Sequence, residues 1–219
     1  MKNERKIVLP LYKISYAVSF VVILSLVRGV THTYEVGLAI EPPLAILAAV
    51  FCADTYVQEI MSRRFEIYRL YPVRKRTVSI LERLAIQEFF LLLLAVVCYG
   101  LFFLFQNPAT HPATESEWMQ FGAYVGAIAV TVFFWSVLAN TLSMIFRSMW
   151  MGIGGCLFLW LASNSQSGDK LFGAWNVFSY TFRAVEKSAD LTWLCGKALC
   201  ICIGLILLVF LPKLVRKRG

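Results

Sequence analysis

Along the chain, long apolar runs are separated by short polar ones. Crossing roughly 30 Å of hydrocarbon takes about 20 helical residues. Six runs approach or reach that length: Tyr12–Val30, Pro42–Ile60, Leu84–Phe105, Trp118–Phe146, Met149–Ser163 and Leu191–Leu211. The fifth holds the glycine-rich MGIGGCLFLWLAS and is read either as kinked or as running on through Asn164 with local thinning of the bilayer. The pattern predicts an all-α polytopic membrane protein with six transmembrane helices in a single domain, residues 1–219.

Composition agrees. The chain is 59% hydrophobic and 16% charged, against about a quarter charged in an ordinary soluble domain. The net charge of +8 argues for topology and not for nucleic acid, because the basic residues lie between apolar runs and form no soluble basic face. Lys and Arg concentrate in MKNERK, in residues 61–83 and in the tail KLVRKRG. The segment QNPATHPATESE has neither, nor does Thr31–Glu41, although Arg28 lies just before it and is placed at the interface. In residues 164–190, Lys170, Arg183 and Lys187 are balanced by Asp169, Glu186 and Asp190. The positive-inside rule then predicts a multi-pass protein of the cell membrane with both termini cytoplasmic. No small-residue cleavage site follows the first run, which is read as a retained span.

Candidate chemistry is sparse. Cys52, Cys98, Cys156, Cys195, Cys200 and Cys202 all fall in predicted spans, where a thiol packs as a small hydrophobe. CGKALCIC matches no zinc spacing, and His32 and His111 stand alone in separate outer loops, so no metal ligand set is predicted. No catalytic residue and no nucleotide loop of the G-x-x-x-x-G-K-[ST] kind is found, which excludes a self-contained ATPase.

The most informative polar stretch is EIMSRRFEIYRLYPVRKR, residues 59–76, between the second and third runs. A plain topology anchor is one reading. The other is a protruding elbow, residues 61–83, longer than a connection needs. Met61, Phe65 and Tyr68 fall at helical spacing, while Arg63, Glu66 and Arg69 share another face. Glu59 is placed to pair with Arg63 four residues on. This predicts an amphipathic helix continuing the second span, stopped at Tyr71 by Pro72. A second helix restarts through Thr77–Arg83, with Thr77 or Ser79 as its cap.

The order Glu59, Glu66, Leu70, Pro72, Val73, Arg74 between a second and a third span resembles the permeases of the ABC type-2 transporter family, and the six-span layout extends the resemblance over nearly the whole chain. Many family members carry a small pair where this chain has Arg63, Arg64 and Phe65. The resemblance implies a type V ABC exporter-like permease, working with two separate ABC ATPase subunits and a second permease copy or paralogue. ATP and Mg would be bound by the ATPases, and no cofactor by this chain. It makes the elbow a coupling helix, in which Phe65, Tyr68, Leu70 and Tyr71 supply an apolar knob and Arg63, Arg64 and Arg69 meet acidic groups of the ATPase. It also makes residues 1–11 an interfacial segment on the inner membrane surface, where Lys2, Arg5, Lys6 and Lys13 meet lipid headgroups at about 1 kcal/mol each. A basic tail before Pro10 is the plainer reading.

Ionisable groups inside spans are functional suspects. Asp54 either lines a substrate path or pairs with Arg147 or Arg83, the pairing being favoured. Lys197 is expected to snorkel outward, and Asn140 and Gln87 to hydrogen-bond between helices, with a place on a substrate path as the alternative for Asn140 and ligand binding for Gln87. Gly122 and Gly126 have small-xxx-small spacing, which serves packing within the chain or between chains. The stretch with Phe172, Trp175, Phe178, Tyr180 and Phe182 is too apolar for an exposed loop; it is read as a re-entrant or lid segment, 164–190, with aromatic anchoring as the alternative. Two other function classes stay open: an intramembrane enzyme, for which Asp54 lacks convergent partners, and an ATPase-independent membrane scaffold or immunity protein.

Overall fold

The computed structural model describes residues 8–57, 70–109, 117–182 and 191–218. Among the described residues the chain is all-helical. Four helices are long and apolar enough to cross a membrane: α2 (Thr33–Cys52), α3 (Val73–Gln106), α4 (Glu117–Phe146) and α7 (Trp193–Arg218). Two shorter apolar helices, α1 (Leu11–Val27) and α5 (Met149–Ser163), join them, and a short α6 (Gln166–Phe172) runs into a 3-10 turn at Gly173–Trp175. These apolar helices mark a membrane protein.

The second span starts nine residues earlier than the Pro42 boundary, so Thr33–Glu41 belongs to α2 and not to an outer loop. Its start is set by Glu35, whose carboxylate accepts from the Thr31 and His32 amides at 2.9 and 3.2 Å, satisfying donors a helix end leaves open. Pro42 and Pro43 then sit inside the helix. Proline interrupts a helix by removing an amide donor, but a membrane helix tolerates it where neighbours supply contacts. Here the Trp160 indole N–H of α5 donates to the Pro42 carbonyl at 2.8 Å.

At its other end α2 stops at Cys52, and residues 53–56 form a turn. A continuous helix through Ile60 into the elbow is therefore overturned. The Thr55 amide and hydroxyl both return to the Cys52 carbonyl, at 3.2 and 2.8 Å, a local alternative to the helical ladder. The helix after Pro72 begins at Val73, earlier than the expected restart at Thr77. Pro72 occupies the N-cap position, and Thr77 caps nothing: its hydroxyl donates to the Val73 carbonyl within the second turn. With 34 residues α3 is about 51 Å long, well beyond the hydrocarbon thickness. It ends at Asn107, whose φ of 45° is the left-handed conformation that asparagine tolerates at a helix C-terminus.

Helix α4 is the hub, with α2, α5 and α7 packed along it and α1 seated on α3. Gly152 lets α5 approach α4, because a Cβ there would lie 1.9 Å from Ser143 Oγ. Trp135, Tyr124, Phe51 and Phe102 fill the centre. At one end of the bundle, Gln106 Nε2 donates to the Ser25 and Arg28 carbonyls at 2.8 and 2.6 Å, its Oε1 accepts from the Val30 amide at 2.7 Å, and beside them the Ala109 amide donates to the Thr31 carbonyl while the Ala109 carbonyl accepts from the Thr33 amide, a bridge across from His32. Gly122 and Gly126 meet nothing within 4 Å, so no neighbour in the described chain uses their close-approach geometry.

Candidate functional site

Two buried charge clusters lie along α2, one just past its C-terminal end and one near its middle. The first closes the end from which the elbow departs. Lys13, in the first turn of α1, is 3% exposed, and its ammonium pairs with Asp54 and donates to the Phe51 carbonyl at 3.0 Å. It also lies 5.2 Å from the centre of the Phe51 ring, a cation–π contact. That ring packs edge-on to Tyr16 of α1 and stacks on Phe90 of α3. Beside it the Thr55 hydroxyl has Gln87 Oε1 at 2.7 Å as an alternative acceptor to the Cys52 carbonyl, and the Cys52 thiol donates to Ser136 of α4 at 3.3 Å. One junction thus binds α1, α2, α3 and α4 where the chain leaves for the elbow.

The junction revises three expectations. Asp54 pairs inside the protein, as favoured, and Lys13 is a partner that was not anticipated. It also lies in the turn after α2 and not within the helix. Lys13 is accordingly buried, with no exposure to headgroups. The pairing was illegible because the partners are 41 residues apart and come together only when α1 lies beside the end of α2.

The second cluster sits inside the bundle. Glu41 of α2 is fully buried and Lys197 of α7 is 3% exposed, and the two form an ion pair. Lys197 also donates to Thr131 Oγ1 of α4 at 2.8 Å and to the Val177 carbonyl at 2.9 Å. Glu41 accepts from Thr131 at 2.8 Å and from Thr181 at 2.6 Å. Both charges are therefore hydrogen-bonded as well as paired, which burial demands. Lys197 does not snorkel outward: its carboxylate partner is already in the interior. Placing Glu41 in a loop concealed this pair, although the apolar sequence on both sides of Glu41–Pro43 was a usable signal. Glu88, half-buried in α3, is a further intramembrane carboxylate that the sequence reading passed over.

Of the elbow residues, Glu59, Arg63, Arg64, Phe65, Glu66, Tyr68 and Arg69 lie outside the described residues. Leu70, Tyr71 and Pro72 are exposed, Leu70 at 84%. Gln87 does hydrogen-bond between helices, to the Phe51 carbonyl and to Thr55. Asn140 does not: its amide reaches Met144 Sδ of the same helix at 3.7 Å, and its Oδ1 is buried without a hydrogen-bond partner among the described residues. Cys200 is buried while Cys195 and Cys202 are exposed, so these thiols point apart, and no group of three metal-ligating side chains exists among the described residues.

No family model matches the chain, and neither a curated protein nor a solved structure is significantly similar to it. The chemistry available to the two clusters is electrostatic: they hold helices and turns in register.

Proposed function

We propose that this chain is the membrane-spanning permease subunit of an ATP-driven transporter. It moves a hydrophobic or amphipathic substrate, a peptide, lipid or drug, outward, using ATP hydrolysed by two separate ABC ATPase subunits. A second permease, a copy or a paralogue, completes the path, and both termini face the cytoplasm in the cell membrane. The observation that carries this reading is the junction at the base of the elbow. The exposed Leu70 and Tyr71 stand immediately before Pro72 and the rod-like α3, while Lys13–Asp54 and Thr55–Gln87 bind the turn at 53–56, before the elbow, to α1 and α3. A force applied to such an elbow reaches three helices at once, because packed helices move as bodies and do not bend continuously.

The test is capture from native membranes in mild detergent, with chains identified by mass spectrometry. A co-purifying subunit carrying a nucleotide loop is expected, and Leu70→Asp with Tyr71→Asp should reduce its recovery at least tenfold without lowering the thermal midpoint of the permease. Arg64→Glu with Arg69→Glu should separate ATP hydrolysis from transport in the reconstituted complex. A gently solubilised, folded chain without any ATPase overturns the proposal and favours an ATPase-independent scaffold or immunity protein.

A further inference from the structure

The buried carboxylates Asp54 and Glu41 each have a lysine, Lys13 and Lys197. Glu88 of α3 has none. It is half-buried, and among the described residues no charged side chain acts on it and no hydrogen-bond donor meets it. It is also the last charged residue of α3. Residues 89–106 beyond it carry no charge and extend for about 27 Å, close to the hydrocarbon thickness. Glu88 therefore stands at the border of the hydrocarbon, where a carboxylate without a counter-charge is costly.

One turn further along the same helix a groove opens between α3 and α4. Leu92 and Ala95 follow Glu88 on one helical face, and they line the groove with Phe89 and Val96 of α3 and Val125 and Ile128 of α4. Tyr124 of α4 closes its inner side: the ring is buried, and its hydroxyl donates to the Ala95 carbonyl at 2.8 Å. Phe89 and Leu93 are exposed, so the other side is open away from the bundle. The groove runs about 10 Å along α3 and holds about 330 Å³, within the range of small-ligand pockets. Its walls are apolar and suit an alkyl chain. The carboxylate at its foot decides the head of that chain. An anionic head is repelled and a neutral one leaves the charge uncompensated. An ammonium supplies the counter-charge that Asp54 and Glu41 receive from within the chain, and charge-assisted hydrogen bonds are the strong ones.

We propose that this groove, with Glu88 at its foot, binds a cationic amphiphile from the bilayer, its alkyl chain between α3 and α4 and its ammonium on the carboxylate. As a substrate class this rests on the transporter reading; the binding does not, and it is measured without any ATPase, so either can fail alone. The full chain in phosphatidylcholine nanodiscs is photolabelled with a diazirine-bearing dodecylamine and with the matching dodecanol. Adducts are counted by mass spectrometry on residues 89–96 and 124–128 only, which leaves out coupling to Glu88 itself. The amine should label these residues about tenfold more than the alcohol, the factor expected of one hydrogen bond to a charged group. Glu88→Gln, of the same shape, should bring the amine down to the level of the alcohol, while Glu88→Asp, which keeps the charge, should retain the preference. Leu92→Trp, which fills the groove, should reduce labelling by both probes. Equal labelling of the parent by the two probes overturns the proposal, as does an amine preference that survives Glu88→Gln or groove labelling unaffected by Leu92→Trp.

Discussion

Lys197→Met removes the counter-charge from a fully buried carboxylate while keeping an apolar stem of similar length. Glu41 is then left with two hydroxyl donors, Thr131 and Thr181, and no cation. Stripping one partner from a buried pair costs about 3–5 kcal/mol, and Lys197→Met should fall in that range. Glu41→Gln leaves Lys197 with Thr131 and the Val177 carbonyl, and should cost about 3 kcal/mol, near the lower end because the new amide still accepts a hydrogen bond. The double variant buries no charge. Its loss is confined to weakened neutral hydrogen bonds of about 1 kcal/mol each, so it should lie within roughly 2 kcal/mol of the parent and be more stable than either single variant. Reversible SDS titration in mixed micelles, followed by tryptophan fluorescence, measures all four corners of the cycle. A double variant destabilised by the sum of the two singles would refute the reasoning, because it would mean the groups do not interact. A Lys197→Met cost below about 1 kcal/mol would do the same, since the carboxylate would have to be solvated.

Lys13→Met should lower stability in the same titration by removing the buried Lys13 ammonium from Asp54, and should accelerate chymotryptic cleavage after the exposed Leu70 as the base of the elbow loosens; unchanged cleavage would count against a rigid junction. Gln106→Leu leaves the Val30 amide and the Ser25 and Arg28 carbonyls without their side-chain partner, and should cost about 1–3 kcal/mol with faster exchange of the Val30 amide. Gly152→Ala forces a methyl to 1.9 Å from Ser143 Oγ and 3.0 Å from the Ala139 carbonyl, and should destabilise the α4–α5 contact by about 1–3 kcal/mol. Gly154→Ala, two residues on and with open space around it, should be neutral or slightly stabilising by thermal melting, since alanine is the better helix former.

Much of the helical layout was legible because hydropathy is a local property. Trp118–Phe146 and Met149–Ser163 coincide with α4 and α5 within a residue, and Leu191–Leu211 locates α7. The errors cluster at prolines. Pro42 looked like the edge of a span, yet α2 passes through Pro42 and Pro43, in a stretch where Trp160 of α5 donates to the Pro42 carbonyl. Pro72 stands at the start of α3, where a proline removes no intrahelical hydrogen bond, and the helix it was expected to stop lies largely outside the described residues. The candidate site was legible only by type. Asp54 stood out as a charge near an apolar run, but the geometry that decides between substrate path and structural pair lies in α1.

By itself the amino-acid sequence determined that this is an all-helical membrane protein, that its most basic internal interruption lies between the second and third apolar runs, and that it contains no nucleotide loop. Those facts need only runs of about 20 residues and short motifs, both written along one stretch of chain. Tertiary structure decided which charges meet. Lys13 finds Asp54 and Glu41 finds Lys197 across 41 and 156 residues. An ionisable side chain in an apolar run is equally compatible with snorkelling, a ligand path or a buried pair until a neighbouring helix presents its counter-charge at the same depth. Residues 176–182 illustrate the same point: their aromatic side chains showed that they avoid water, and the space left by Gly37 and Gly196 and the face of Trp135 decided where they go.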